Sequence, residues 1–366
     1  MTHFEERLER DISRIRHGVI GIAKAVERGL ENALTSLLTL DEDLAYRTII
    51  DDNPINRKVE DVDRLCHVFV ARFLPSAGHL RFVSSVLRMN VELERIGDYA
   101  VNICREAATI RQPIEDPIRG EIERMARDAL HMFRNAIASF AENNADSARA
   151  TMKTAKQVDV EFESIYEDLV REGQTGSTPT KDLLSKLIVI YMLERVSAQS
   201  KNLCEEVIFS ITGERKRRRP VKIIFLDRGN DGPAQIARSV GEKAFPSQGT
   251  YSSAGLRQKP IDSVLEEYMQ SIGHAFQPSA TPPSLSEISW RDYDVIVCLE
   301  GKLSEYLSEV PVGTVAFEWP IPALPVEGDL DERRNGFRDV YEEVVNRLRE
   351  LIETMRGLGE EDEDDV

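Results

Sequence analysis

Two groups of residues carry chemistry by type and spacing. The first follows a short apolar run, Val221-Lys222-Ile223-Ile224-Phe225-Leu226, and reads Asp227-Arg228-Gly229-Asn230-Asp231-Gly232-Pro233. A strand, a tight glycine-containing loop and a helix start bring backbone N–H groups around one point, which is a cradle for an anion. An aspartate at the head of such a loop can also accept a phosphoryl group, given a second acid for magnesium and a positioned lysine. Asp231 is the candidate second acid, and no lysine has an evident position. The second group is the row Glu94, Asp98 and Asn102, spaced by four. On a helix these project from one face on successive turns, and two carboxylates one turn apart can share a hard cation. The same spacing equally suits a solvated acidic edge or pairing with nearby arginines.

The carboxylate row must be held by helices. Up to residue 213, apolar residues recur at i, i+3, i+4 and i+7, with breakers only between the segments. Asp51-Asp52-Asn53-Pro54 and Pro75-Ser76-Ala77-Gly78 mark turns, and residues 173–179 a loop. Asp116-Pro117 reads as a helix start, with the acid as N-cap and proline at the first helical position. The region is also a repeat. Leu93-Glu94-Arg95-Ile96 through Asn102-Ile103-Cys104 recurs 100 residues later as Leu193-Glu194-Arg195-Val196 through Asn202-Leu203-Cys204. Asn32-Ala33-Leu34-Thr35-Ser36 recurs at an offset of 103 as Asn135-Ala136-Ile137-Ala138-Ser139. Residues 1–112 and 113–213 are therefore two copies of one unit, each with roughly three long helices closing as a bundle. In the first copy Leu93, Ile96, Gly97, Ala100, Ile103 and Cys104 form the inward stripe.

The loop at Asp227 belongs to different architecture. Residues 214–220 (ERKRRRP) form a basic linker, whose five consecutive cations suit either solvent or an anionic surface or partner. From 221 to 355 short apolar strands alternate with helices. Strands are expected at Val221–Leu226, Thr250–Gly255, Asp294–Leu299 and Gly313–Glu318, and helices at Pro233–Ala244, Pro260–Ile272 and Asp331–Met355. That alternation specifies a mainly parallel sheet with helices on both faces, whose site lies at the carboxyl ends of the strands. Residues 356–366 form an acidic tail whose six acids, Glu360 to Asp365, repel one another and favour disorder. The fold class is thus multidomain, with tandem all-α bundles followed by an α/β parallel-sheet domain.

Composition excludes several functions. A net charge of -17 disfavours nucleic acid, which is gripped by clustered Lys and Arg. No apolar run is long enough to span a bilayer, and Glu5 and Glu6 stand where a signal peptide needs a basic start, so the cytoplasm is expected. Cys66, Cys104, Cys204 and Cys298 are widely spaced, which suits buried residues better than a metal or redox motif.

The first 213 residues resemble the PhoU family of phosphate-uptake regulators. The likeness is carried in order by His3-Phe4-Glu5-Glu6-Arg7-Leu8, Asp51-Asp52 with Ile55, Leu80-Arg81-Phe82-Val83, and Leu93 through Ile103 (LERIGDYAVNI). The resemblance implies two three-helix bundles, a homodimer, and negative regulation of phosphate uptake and starvation signalling. The implied partners are the phosphate ABC transporter ATPase and a membrane sensor histidine kinase. It also implies metal at the acidic rows. This chain keeps only part of that pattern: the second row reads Glu194, Ala198, Asn202, Val59 stands at a usual acid and Asn56 at a usual Asp. What remains is Asp63, Glu94 and Asp98, a set for one divalent or iron-type ion rather than a cluster.

Residues 221–355 resemble low-molecular-weight tyrosine phosphatases and the related thioredoxin-coupled arsenate reductases, through the 227–233 loop, Ser253-Ala254-Gly255 and the Trp319-Pro320-Ile321-Pro322 segment. That family attacks phosphorus with a loop cysteine, grips the equatorial oxygens with an arginine six residues later, and protonates the leaving group with an aspartic acid. In register, those positions hold Asp227, Pro233 and Ala323. Arg238 lies on the following helix and does not substitute, while Asp227 and Asp231 repel an anion. The expected function is a regulator of phosphate homeostasis with a pseudophosphatase module for docking or conformational change. The alternative is a PhoU-controlled phosphatase or phosphoryl-accepting enzyme using Asp227.

Overall fold

The computed structural model describes residues 3–176, 178–215, 220–257, 259–274, 276, 285–311, 313–325 and 327–356. The chain divides into two compact units, Met1–Lys216 and Arg217–Val366. Four of the basic linker residues, 216–219, and the acidic tail from 357 lie outside the described residues.

The first unit is helical. Its first copy comprises α1 (His3–Thr39), α2 (Glu42–Ile50), α3 (Asp52–Phe73) and α4 (Ala77–Ala107). The second comprises α5 (Ile118–Glu142), α6 (Ala145–Met152), α7 (Ala155–Thr175) and α8 (Thr180–Thr212). Each copy therefore holds three long helices and one short one, where the sequence pattern suggested three. Local caps explain the extra element: the Asp41 side chain accepts from Leu44 N at 2.9 Å, and Asn144 from Ser147 N at 3.0 Å. Eight or nine residues are too few for a periodic stripe to declare a helix. Two boundaries also differ from expectation. Pro117 rather than Asp116 takes the capping position before α5, and the helix starts at Ile118 without a side-chain cap bond. Asp52, Asn53 and Pro54 lie in the first turn of α3, where a missing proline N–H costs nothing, so the break is confined to Asp51.

The inward stripe of α4 is buried as its spacing required, with Leu93, Ile96, Ile103 and Cys104 inaccessible to solvent. Both copies feed one continuous apolar core running from Ile15 to Ile208. Side-chain polar contacts also tie the copies together. Arg16 on α1 lies 5.1 Å from the Phe82 ring centroid and 4.9 Å from that of Phe140, and donates to the Phe140 carbonyl at 2.5 Å. Asp182, 2% exposed, accepts from the backbone N–H groups of Arg111 and Gln112 and so fastens the connector between the copies. Among the described residues no helix is long and apolar enough to cross a membrane.

The second unit is a four-stranded parallel sheet in the order β2-β1-β3-β4, from β1 (Val221–Asp227), β2 (Gly249–Gly255), β3 (Val295–Cys298) and β4 (Val315–Glu318). Helices α9 (Pro233–Ala244), α10 (Ser263–Ser271) and α11 (Leu330–Arg356) connect and close it. The β1 run is apolar without alternation because both its faces are covered. Ile223 and Phe225 join one cluster with Val240, Phe337 and Leu348, whereas Ile224 and Leu226 join another with Ile296 and Leu307. The chain leaves β1 for β2, then returns to β3 on the other side. A crevice at the carboxyl ends of β1 and β3 follows from that reversal. Asp227 is the last residue of β1.

Replacing Arg16 by Ala removes one charge-assisted bond to a carbonyl and two cation–π contacts. The helical unit should lose about 2 kcal/mol in denaturant unfolding, with Arg16→Lys intermediate. An unchanged midpoint for Arg16→Ala would show that the contact contributes nothing.

Candidate functional site

The loop after β1 folds its own aspartate into the anion cradle. Asp227 Oδ1 accepts from the N–H of Gly229 at 3.1 Å and from that of Asn230, and Oδ2 accepts from Ala234 N at 2.9 Å. Ala234 lies in the first turn of α9, so a helix N-terminus contributes one of the three donors. The side chain is 1% exposed. Two glycines make this possible. A Cβ at Gly255 of β2 would sit 2.6 Å from Asn230 N and 2.9 Å from Asp227 O, so only glycine lets β2 lie this close to the loop. At Gly229 a Cβ would overlap the Asp231 carboxylate.

Burial pushes the Asp227 carboxyl up from 3.8 to about 6, against the opposing pull of the Ala234 and Asn230 N–H groups. The charges of Asp231 and Glu300 add to the rise. Glu300 follows β3 and accepts from Arg228 N at 3.2 Å, while the Arg228 guanidinium donates to Glu305 at 3.2 Å. The Tyr306 hydroxyl closes this end of the sheet by donating to Glu300 O at 2.7 Å. The charges that raise the Asp227 carboxyl are thus acidic, while Arg228 pairs with Glu305 and Arg257 and Lys259 bond the loop carbonyls through their backbone N–H groups.

Of the other two degenerate positions, Pro233 is buried and opens α9 next to the loop, whereas Ala323 is exposed in the irregular segment after β4 that follows the buried Trp319. Leu324 covers the loop, since a Cβ at Gly232 would be 2.6 Å from its Cδ1. Arg238 is engaged with Glu242 on its own helix at 2.9 Å. Cys298, at the end of β3, is no replacement nucleophile: burial pushes its thiol up to about 11, leaving it protonated at neutral pH. Among the described residues, Asp227 is bonded by backbone N–H groups and by no lysine.

The carboxylate set in the helical unit is not gathered as expected. Asp63 on α3 is level with Asn90, which donates to it at 2.6 Å. Asp98 lies eight residues further along α4, roughly 12 Å at 1.5 Å per residue, too far for both to ligate one ion. The acid that shares the Asp98 groove is Asp52, in a cavity of about 430 Å³ also lined by Asn53, Asn102 and Arg105. Burial first, and then the Asp52 charge, raises the Asp98 carboxyl above its usual range, with Arg105 opposing. Asn56 donates to Asp52 at 3.0 Å. Glu94 is exposed. Among the described residues no three His, Cys, Asp or Glu side chains converge as a metal site. In the second row, Glu194 pairs with Arg195 at 2.6 Å, and Asn202 donates to Gln199 at 2.9 Å.

The sequence offered Asp52 in the Asp51-Asp52 pair but not its level on the bundle, which depends on how α3 packs on α4. A single acid after a strand, as Glu300 is after β3, carries no spacing signal in the sequence.

Comparison with known proteins gives the class of the helical unit. A family model described as the PhoU domain matches residues 19–107 and again 122–207. The phosphate-specific transport system accessory protein PhoU of Escherichia coli K12 is 29% identical over 212 residues, covering 58% of this chain and 88% of that protein. The crystal structure of PhoU from Pseudomonas aeruginosa matches with a TM-score of 0.54 and 26% identity, over 56% of this chain and 99% of that one. About the first 210 residues of this chain thus carry a tandem of PhoU domains. A solved arsenate reductase also matches 37% of the chain and 98% of its own length, at 19% identity and a TM-score of 0.33, too slight to bear on activity.

The Asp227 environment sets a pH dependence. A carboxyl whose folded pKa is raised binds its proton more tightly when folded, so the second unit is favoured at low pH. That advantage is complete below 3.8 and is lost as pH rises through about 6. Between pH 3 and 7 the wild-type second unit should lose on the order of 3 kcal/mol relative to Asp227→Asn, most of it between pH 4 and 6.5, then run parallel to it. A gap constant from pH 4 to 7 in denaturant titrations would contradict the assignment.

Proposed function

We propose that this chain is a PhoU-type regulator of phosphate uptake and phosphate-starvation signalling that acts through protein partners. In this reading the second unit is a non-catalytic docking or conformational module. The observation that carries it is the double PhoU-domain match laid over the two helical copies, together with relatives named as accessory proteins of phosphate-specific transport. The partners that fit are a phosphate ABC transporter ATPase and a sensor histidine kinase, met in the cytoplasm by a homodimer of the chain.

The non-catalytic role of the second unit rests on Asp227. Phosphoryl transfer through a cysteine needs the cradle open and a thiolate at its head, whereas the cradle here encloses a carboxylate. Transfer to Asp227 itself would need an exposed oxygen, a metal-holding acid and a lysine. Both of its oxygens accept backbone N–H bonds, and the side chain is buried. The enzyme alternative draws no support from this geometry.

Deleting the gene in phosphate-replete cells should raise phosphate uptake and switch on starvation genes, as loss of a negative regulator does. Restoring the helical unit alone should not suffice if the second unit docks a partner. Uptake and starvation-gene expression identical to the parent strain would refute the regulatory reading.

A further inference from the structure

Along the seam between α5 and α7, acids oppose acids. Glu121 on α5 faces Asp168 on α7, and two turns away Asp128 on α5 faces Glu161 on α7. Both pairs fit one antiparallel register, since seven residues separate their members on either helix. Glu161 is 8% exposed, and its Oε2, like the Oε2 of Glu121, is buried without a hydrogen-bond partner. Ionised carboxylates only accept, so two that meet cannot bond unless one carries a proton. Buried oxygens left unbonded are costly and rare in native chains. Burial, and then the Asp168 charge and hydrogen bond, raise the Glu121 carboxyl. Burial also raises that of Glu161 against the Gln157 amide, which donates to it at 3.3 Å, and the Asp128 charge adds to the rise. Two cations face the seam. Arg124, between the pairs on α5, opposes the rise at both, and Arg171 on α7 is ion-paired with Asp168. Beyond Asp168, a cavity of about 650 Å³ brings in Glu115 and Asp116 of the connector and Glu172, which Lys186 of α8 holds at 2.8 Å. The first copy closes its equivalent seam without acids. At the offset of 103, Gly18 and Ala25 on α1 stand for Glu121 and Asp128, and a Cβ at Gly18 would lie 2.6 Å from Val62 Cγ2 of α3. The fold itself therefore does not require carboxyl pairs here.

We propose that the α5–α7 seam is a proton-operated latch, in which each carboxyl pair closes around one shared proton and loss of both protons as pH rises loosens α7 from α5. With the protons in place, Glu121 donates to Asp168 and Glu161 donates to Asp128. Without them, four carboxylates face two arginines and the members of each pair repel. A carboxyl whose folded pKa is raised favours the folded state at low pH. That contribution is complete below the ordinary glutamate value of 4.5 and is lost as pH rises through the raised one. Asp168 and Arg171 share their cavity with Gln112 and Pro117, so the loosening reaches the connector between the two copies. The inference concerns the helical unit alone and does not depend on the regulatory reading.

The test follows urea unfolding of the full chain by far-ultraviolet circular dichroism at several pH values between 4.5 and 8. Trp290 and Trp319 both lie in the second unit, so fluorescence tracks that unit separately. Wild type is compared with Glu121→Gln, Glu161→Gln and the double variant, whose amides donate at every pH. Acids common to all four proteins cancel in the differences. The midpoint of the double variant should climb progressively above that of wild type as pH rises, and each single variant should show a smaller climb of the same sign. In wild type alone, hydrogen-exchange protection along α5 and α7 should fall over this range while that along α1 holds, a reading that needs no variant to fold. A midpoint difference that stays constant with pH would overturn the latch. So would a single variant without any climb, or wild-type protection along α7 that does not change. The uptake phenotype of the deletion strain bears only on the regulatory reading, so the two fail separately.

Discussion

A backbone N–H turned into a protein interior must find an acceptor, and a loop that bends sharply between a strand and a helix turns in several together. After β1 the acceptor is Asp227. Its carboxylate takes up Gly229, Asn230 and Ala234, which holds the loop closed and joins the end of the strand to the start of α9. Bonds of this charged kind contribute about 1.5–3 kcal/mol each. Removing the charge from water costs more than they return, because the carboxyl ends near 6 rather than below its ordinary value. At neutral pH it is still mostly ionised. The interaction closes the loop around its own carboxylate.

The helical unit shows the same fold used twice with different polar chemistry. Helices α4 and α8 bury equivalent stripes, from Leu93 to Cys104 and from Leu193 to Cys204. Their outer rows have diverged. Asp98 shares a groove with Asp52 and has an elevated carboxyl, whereas the corresponding Ala198 carries no charge and Glu194 is tied to Arg195. The copies are joined by Arg16 between two aromatic rings and by Asp182 of α8, which accepts from the connector N–H groups of Arg111 and Gln112.

Much of the fold was legible because it depends on patterns one element long. The 100-residue offset revealed the repeat, and unbroken apolar runs revealed strands covered on both faces. What escaped depends on short range or on packing between elements. Helices α2 and α6 are set by single capping side chains, Asp41 and Asn144, rather than by periodicity. The grouping of Asp63 with Asp98 failed because spacing along α4 does not tell which turn of α3 lies beside it; Asn90 occupies that place. The sequence places Asp227 at the position of a loop nucleophile and as a source of negative charge. That its carboxylate bends back to accept the loop's own donors is a matter of side-chain direction, which residue types do not encode.

The central claim is that the second unit performs no phosphoryl chemistry because its cradle already holds an anion. The most direct measurement is steady-state hydrolysis of p-nitrophenyl phosphate by the purified full chain, with and without magnesium, beside Asp227→Asn. The account predicts release of p-nitrophenol at the rate of buffer alone for both proteins. Sustained turnover by the wild type that disappears in Asp227→Asn would contradict it.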